Sequence, residues 1–381
     1  MNTLNPLFAI VVFLIAYATS YVINLKYKVN NLSSRYESID GLRGFLAIGV
    51  FIHHSSIWIQ YLQTNKWDAP KSNLYAQLGS TSVAFFFMIT SFLFISKLLN
   101  LKEKEFNWKA FFISRFFRLT PMYYFSVSII ILFVMIINDW KLKVGIFRFF
   151  GQILMWGTFT IVRNTSINGY YLTSRINAGV VWSLPYEWLF YFSLPLISLL
   201  ILKKKPSNLY ILISFVFIIL YFFVNNFDFH HILSFVGGAI AAIVVKFKPF
   251  KTDKNSFFSS ILILLCFVLI GQFKNSDNVI CKILITIVFV LIASGNTLFG
   301  VLKNATLKFL GEISYSTYLM HGIILFAVFY FGFGFEKIKS FTPLEFWGLI
   351  FLITPVVVIF SFLGYKFIEK PFMEISKKIN K

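Results

Sequence analysis

Charge is what this sequence has least of. Asp, Glu, Lys and Arg make up 13% of its 381 residues, against roughly 25% in soluble domains. Acid is scarcer still, with 15 Asp and Glu facing 35 Lys and Arg for a net charge of +20. So little polar side chain cannot cover a water-soluble fold of this length. Cysteine is nearly missing. Cys266 and Cys281 fall in or beside apolar runs and give neither a disulfide framework nor metal-ligand spacing. Packing is the plain reading of both, and no metal is expected. The sequence also lacks a phosphate-binding loop, an HExxH zinc motif and a GxSxG elbow. No nucleic-acid motif accompanies the basic charge, so no nucleic-acid partner is expected. There is no internal repeat and no low-complexity linker.

What is present is apolar sequence, 58% hydrophobic with mean hydropathy +0.76. A spanning helix needs about 20 mostly apolar residues. Runs of that length, or slightly shorter, fall at 6–23, 41–62, 76–99, 119–138, 182–202, 208–225, 229–246, 257–273, 279–298, 311–335 and 345–367. The fold class expected is all-α, a polytopic transmembrane helical bundle of about 11 spans. The first run has no Lys or Arg before it, whereas Lys26, Lys28 and Arg35 follow. A signal peptide carries its positive charge in front, so this run reads as a true span with the N-terminus outside.

The loops test that orientation. The inside loops then hold Lys26, Lys28 and Arg35, then Lys97, Lys102, Lys104, Lys109, Arg115 and Arg118. Further along they hold Lys203 to Lys205, then Lys246, Lys248, Lys251 and Lys254, then Lys303 and Lys308. The tail Lys377, Lys378 and Lys381 is inside too. Outside loops are poorer, with Lys66, Lys71, Lys274, Lys337 and Lys339. Cations concentrate on the cytoplasmic side of membrane proteins, and a basic inner face attracts anionic membrane lipids.

One stretch breaks the pattern. Residues 147–162 are apolar enough to cross, but a crossing there would put Lys203 to Lys205 outside. The stretch is therefore expected to re-enter from the outer side or to lie along it. Irregular backbone at membrane depth is tolerated only where protein or a cavity surrounds it. The region 139–181 then helps line an outward-facing cavity. Its Lys141, Lys143, Arg148, Arg163 and Arg175 would suit an anionic acceptor.

Ionisable residues inside a membrane cost several kcal/mol and are functional candidates by default. Four clusters qualify. In the first, Asp40-Gly41-Leu42-Arg43-Gly44 precedes His53-His54. His54 lies about 16 Å further up the helix than Arg43, where a neutral imidazole can accept a proton from a hydroxyl. The plain alternative is packing histidines with a snorkelling arginine. In the second, Arg115 and Arg118 share a helix face and suit bidentate grip on phosphate. Here the alternative is anchoring at the inner surface.

The third cluster is Trp182-Ser183-Leu184-Pro185-Tyr186-Glu187-Trp188. Ser183 and Pro185 mark a helix start, with Glu187 in its first turn and both tryptophans in an interfacial belt. Glu187 either simply suits the helix dipole or binds acceptor or orients the histidine. The fourth, Gly311 to His321, opens a span with Ser314, Tyr315, Tyr318 and His321. A packed polar helix interface is the alternative there. His230-His231 is expected in an external turn without a role, and Glu369-Lys370-Pro371 reads as structural.

These clusters, in this order, resemble the membrane-bound acyltransferase family 3, the O-acyltransferases of O-antigen and other surface polysaccharides. The resemblance runs from about Tyr36 to Phe372. Arg43 and His54, with ten residues between, match the family's expected catalytic pair. Arg115 and Arg118 match its arginine pair for the acyl-CoA donor. Trp182, Ser183, Leu184 and Glu187 match its Trp-Ser-Leu-x-x-Glu, and Gly311, Ser314, Tyr315, Tyr318, Leu319 and His321 its late helix motif. One departure is Thr90-Ser91, where the family usually has Ser-Gly, so helix packing is expected to differ there.

The resemblance implies a ten-helix acyltransferase domain over 36–372. An extra N-terminal helix and linker precede it over 1–35, and a basic cytoplasmic tail follows over 373–381. No fused esterase-like domain is expected before Lys381. The expected activity moves an acyl group, in the first instance acetyl, from cytoplasmic acetyl-CoA to a hydroxyl of a surface polysaccharide, such as lipopolysaccharide, or its lipid-linked precursor. Acyl-CoA is then a co-substrate, no cofactor is bound, and the location is a bacterial plasma (inner) membrane. Asp40, Trp182, Ser183, Glu187, Tyr315 and His321 would support the acceptor side. A transporter for an acyl group or glycan intermediate, or a non-catalytic subunit of a glycan-assembly complex, are the competing classes.

Overall fold

A computed structural model describes residues 3–27, 36–101, 105–162, 165–225, 228–247 and 256–380. Lys28, Arg35, Lys102, Lys104, Arg163, Lys248, Lys251, Lys254 and Lys381 of the charge pattern lie outside the described residues. The helices in chain order are α1 (Pro6–Tyr27), α2 (Glu37–Thr64), α3 (Asn73–Asn100), α4 (Trp108–Ile137), α5 (Ile146–Gly157) and the single turn α6 (Thr173–Ile176). Then come α7 (Leu184–Ile201), α8 (Asn208–Val224), α9 (Phe229–Phe247), α10 (Ser256–Ile270), α11 (Val279–Ala293), α12 (Ala305–Glu312) and α13 (Ser314–Ala327). The chain closes with α14 (Phe335–Lys339), α15 (Pro343–Gly364) and α16 (Lys370–Ile379). Among the described residues there is one isolated β-bridge, Ile167 to Tyr170, and no strand.

Each of the eleven apolar runs is mainly helical, with 311–335 divided among the end of α12, α13 and a π-helical stretch over Val328–Phe333. Among the described residues, eight helical stretches are long and apolar enough to cross a membrane. α8, α10 and α11 are apolar but shorter. The fold is an all-α polytopic membrane bundle. The exceptional stretch 147–162 forms α5, of 12 residues. At 1.5 Å per residue that is about 18 Å, too short for a hydrocarbon core of about 30 Å. Phe147 and Leu154 on α5 are exposed while Gln152 and Trp156 are buried.

The chain divides into two compact units. The first holds Met1–Ser96, His230–Tyr318 and Ala327–Phe362. Its central helix is α2, whose most apolar window is 78% buried against 28% for α1. Glycine explains how α2 packs so closely. A Cβ on Gly41 would lie 2.0 Å from the Leu302 carbonyl oxygen, and one on Gly311 would lie 1.9 Å from that of Asp40. α2 therefore touches α12, and Leu302 just before it, backbone to backbone, which only glycine permits. The helix α1 docks on α15. Phe8 stacks on Trp347 at 5.3 Å, and the Trp347 indole N–H donates to the Thr3 carbonyl at 2.8 Å. Near the departure at Thr90-Ser91, close approach comes from the other helix. A Cβ on Gly238 of α9 would lie 2.1 Å from the Met88 carbonyl oxygen on α3.

The second unit holds Lys97–Phe229, Leu319–Phe326 and Leu363–Lys381. α4 begins at Trp108, eleven residues before the apolar run expected for it. Asn107 caps it, accepting from the Ala110 N–H at 2.9 Å. Arg115 and Arg118 therefore sit well inside a 30-residue helix. The irregular region after α4 is held by Asn168, fully buried. Its side chain accepts from the Lys143 N–H at 2.7 Å and donates to the Lys141 carbonyl at 2.9 Å. Its own N–H donates to Gln152 Oε1 at 3.0 Å. These bonds satisfy backbone that no helix serves, which non-helical chain away from water requires.

Candidate active site

The candidate residues fall into two groups, one in each unit. In the first unit Arg43 and His54 are eleven residues apart on α2. At about 100° per residue that offsets them by only about 20°, so they share a face about 16 Å apart along the axis. Arg43 Nη2 donates to Ser314 Oγ at 2.9 Å, and its Nη1 lies 3.9 Å from an Asp40 carboxylate oxygen. Asp40 and Arg43 of one motif thus meet Ser314 of another, 271 residues away from Arg43. The Gly41 and Gly311 contacts make that meeting possible, because they bring α2 against the turn that precedes Ser314. Tyr315, half-buried, follows Ser314 on α13.

His54 has a neighbour that sequence reasoning left unassigned. The His53 Nδ1 lies 2.8 Å from the Tyr75 carbonyl oxygen. A carbonyl only accepts, so Nδ1 carries the proton and Nε2 the lone pair. The ring fits because α3 has Gly79 there, where a Cβ would come within 2.3 Å of it. His53 fixes this end of α2 against α3. The His54 ring sits edge-on to it at 5.1 Å, and its facing is set accordingly. The His230-His231 pair opens α9 rather than a turn, with His231 against Phe87 at 6.0 Å.

In the second unit Arg118 pairs with the buried Glu369 and lies 3.0 Å from Met373 Sδ. Glu369, placed by sequence at the close of the last span, is therefore the counter-ion of a candidate donor residue. Arg115 reaches another group. The Tyr191 hydroxyl donates to Glu187 Oε1 and accepts from Arg115. Tyr191 is fully buried on α7, one turn beyond Glu187, and joins the arginine cluster to the Trp-Ser-Leu cluster. Its spacing of four from Glu187 is the signal that could have found it.

Trp182 is 39% exposed, as an interfacial residue would be, but Trp188 is 7% exposed and packs on Phe159 at 5.2 Å. Burial takes the second tryptophan out of the expected aromatic belt, because the irregular region covers it. Ser183 precedes α7 as expected from the sequence, yet its hydroxyl donates back to the Val180 carbonyl at 3.3 Å instead of capping α7. His321 is fully buried. Beside it a Cβ on Gly322 would come within 2.3 Å of the Asn177 backbone. Among the described residues the buried Asn177 Nδ2 finds no acceptor, which sequence did not flag. No group of three or more metal-ligating side chains occurs among the described residues.

A family model described as an acyltransferase domain matches residues 36–366. The chain belongs to the membrane-bound acyltransferase family 3. No curated protein and no solved structure matches it. The family match begins at the residue before α2, so α1 of this acyltransferase lies outside it. All four motif clusters lie inside it, as do His53, Tyr191 and Asn177. Glu369, the partner of Arg118, lies just beyond.

Proposed function

We propose that this membrane acyltransferase moves an acetyl group from cytoplasmic acetyl-CoA to a hydroxyl of a surface polysaccharide or its lipid-linked precursor, in a bacterial plasma membrane with the N-terminus outside. The observation that carries the reading is the shared face of α2, with His54 at one level and Arg43 held by Ser314 at the other. His54 removes the proton of the acceptor hydroxyl as its oxygen attacks the thioester carbonyl. The carbon–sulfur bond then breaks, and the leaving thiolate takes the proton from His54. Arg43 positions the donor, with Asp40 and Tyr315 beside it. The phosphates of CoA are met by Arg115 through its fork of donors. Arg118 contributes at the same helix face, with Glu369 balancing part of its charge. Trp182, Ser183, Glu187 and His321 support the acceptor side.

The test is His54→Ala in cells, with expression verified and acylation of surface glycans read by mass spectrometry. General-base loss costs about 10²–10⁴ in rate, so the acetyl signal should vanish. A normal signal from the variant would remove the mechanism. Labelled acetyl-CoA separates transfer from transport, since flux without labelled glycan would favour a transporter.

A further inference from the structure

The first unit has a cavity that none of the chemistry above uses. It measures about 460 Å³ and is lined by Thr3, Leu4, Ser56, Ile59, Gln60, Gln63, Thr64, Lys71 and Ser72. Pockets for small ligands start at about 300 Å³. Ser56, Ile59, Gln60 and Gln63 recur at helical spacing and form one wall from α2. The start of the chain and the turn before α3 form the rest. Gln63 is nine residues beyond His54, half a turn round the helix and about 14 Å further along. The cavity therefore faces the opposite side of α2 from the Arg43 and His54 face.

Its chemistry is specific. Amide, hydroxyl and ammonium groups converge beside apolar surface that includes Leu4 and Ile59. Among the described residues no protein group bonds to the side chains of Gln63, Lys71 or Ser72. Gln63 and Lys71 are exposed and Ser72 is half-buried, so all three are open to a ligand. Gln60 Nε2 reaches the Asp68 and Ala69 carbonyls at 3.3 and 3.4 Å, and Trp67 packs on Trp58 at 5.0 Å, so the rim is held before any ligand arrives. The lining is mixed, with apolar surface beside the polar groups. A saccharide, with adjacent hydroxyls that both donate and accept, matches the lining.

We infer that this cavity is a remote saccharide subsite, which holds a unit of the acceptor other than the one acylated. The inference rests on the proposed activity and narrows its acceptor to a glycan several units long. Binding energy gathered there, away from the reacting hydroxyl, holds the chain in register.

The experiment uses the full chain in lipid nanodiscs, acetyl-CoA, and base-deacylated surface polysaccharide from the producing strain. The glycan is supplied as polymer and as a disaccharide-length digest. In the variant Gln63→Ala/Lys71→Ala, KM for the polymer should rise about tenfold, while kcat and KM for the digest stay unchanged. An unchanged polymer KM, or an equal rise for both acceptors, overturns the subsite. So does a thermal stabilisation by phosphatidylglycerol nanodiscs that the double variant loses, which would assign the cavity to lipid headgroups. If the wild-type protein transfers nothing, the proposed activity fails, and direct binding still decides the cavity. Polymer binding by His54→Ala protein that disappears on adding Gln63→Ala/Lys71→Ala upholds the subsite, and binding that persists removes it.

Discussion

Two helices carry the motif arginines of this acyltransferase, and they hold them differently. α2 places Arg43 by backbone contact. Gly311 lets α2 and α12 touch, Gly41 lets α2 meet Leu302 just before α12, and the guanidinium bonds to the Ser314 hydroxyl. α4 places Arg118 by charge, against the buried carboxylate of Glu369. The Arg43 guanidinium meets a hydroxyl at 2.9 Å and a part-exposed carboxylate at 3.9 Å. A guanidinium paired with a buried carboxylate spends much of its field on the fold. The same residue type in two family motifs thus does two kinds of work.

The largest effect expected from breaking this contrast is at Glu369. Removing one partner of a buried ion pair costs about 3–5 kcal/mol, whereas replacing both by apolar residues is often neutral. Glu369→Ala should therefore lower thermal stability in detergent sharply, and Arg118→Met/Glu369→Leu should restore most of it. Should the restored protein keep its KM for acetyl-CoA, Arg118 is structural and Arg115 alone serves the donor. A large loss in donor affinity with stability intact would instead put Arg118 on the phosphates.

A smaller effect is expected at Gly311. Alanine there must displace the Asp40 carbonyl, and overpacking costs about 1–3 kcal/mol. The shift also moves Arg43, so transfer should fall together with stability. Gly348 on α15 is the control, since a Cβ there meets nothing within 4 Å. Gly348→Ala should be neutral or slightly stabilising. Equal losses at both positions would refute the backbone-contact account.

These contrasts also mark how far the sequence could be read. The apolar runs were legible because about 20 apolar residues in a row have few other uses. α5 was legible as a non-crossing element through the charges of the later loops. The beginning of α4 was not, because Lys109, Arg115 and Arg118 interrupt hydropathy without interrupting the helix. The clusters themselves could be listed from sequence, since buried polar residues stand out against apolar neighbours. Their connections could not. Gly41 meets Leu302 and Arg118 meets Glu369 across more than 200 residues of chain, and spacing says nothing about such pairs. His53 looked like a duplicate of His54 until Tyr75 and Gly79, from the next helix, gave it a separate task.

Tyr191 offers the smallest and most discriminating test. Its hydroxyl accepts from Arg115 and donates to Glu187, so it ties the proposed donor arginine to a motif on another helix. Tyr191→Phe keeps the ring and its packing and removes only those two bonds. Hydrogen bonds to charged groups are worth about 1.5–3 kcal/mol, but the freed side chains recover part of this from water or each other. KM for acetyl-CoA should rise about tenfold, equivalent to about 1.4 kcal/mol, with kcat within about twofold. Arg115 would still carry its charge and only its orientation would loosen, which weakens binding before it slows chemistry. A fall in kcat at constant KM would place the Tyr191 hydroxyl on the reacting groups instead, and α7 rather than α2 would then carry the chemistry.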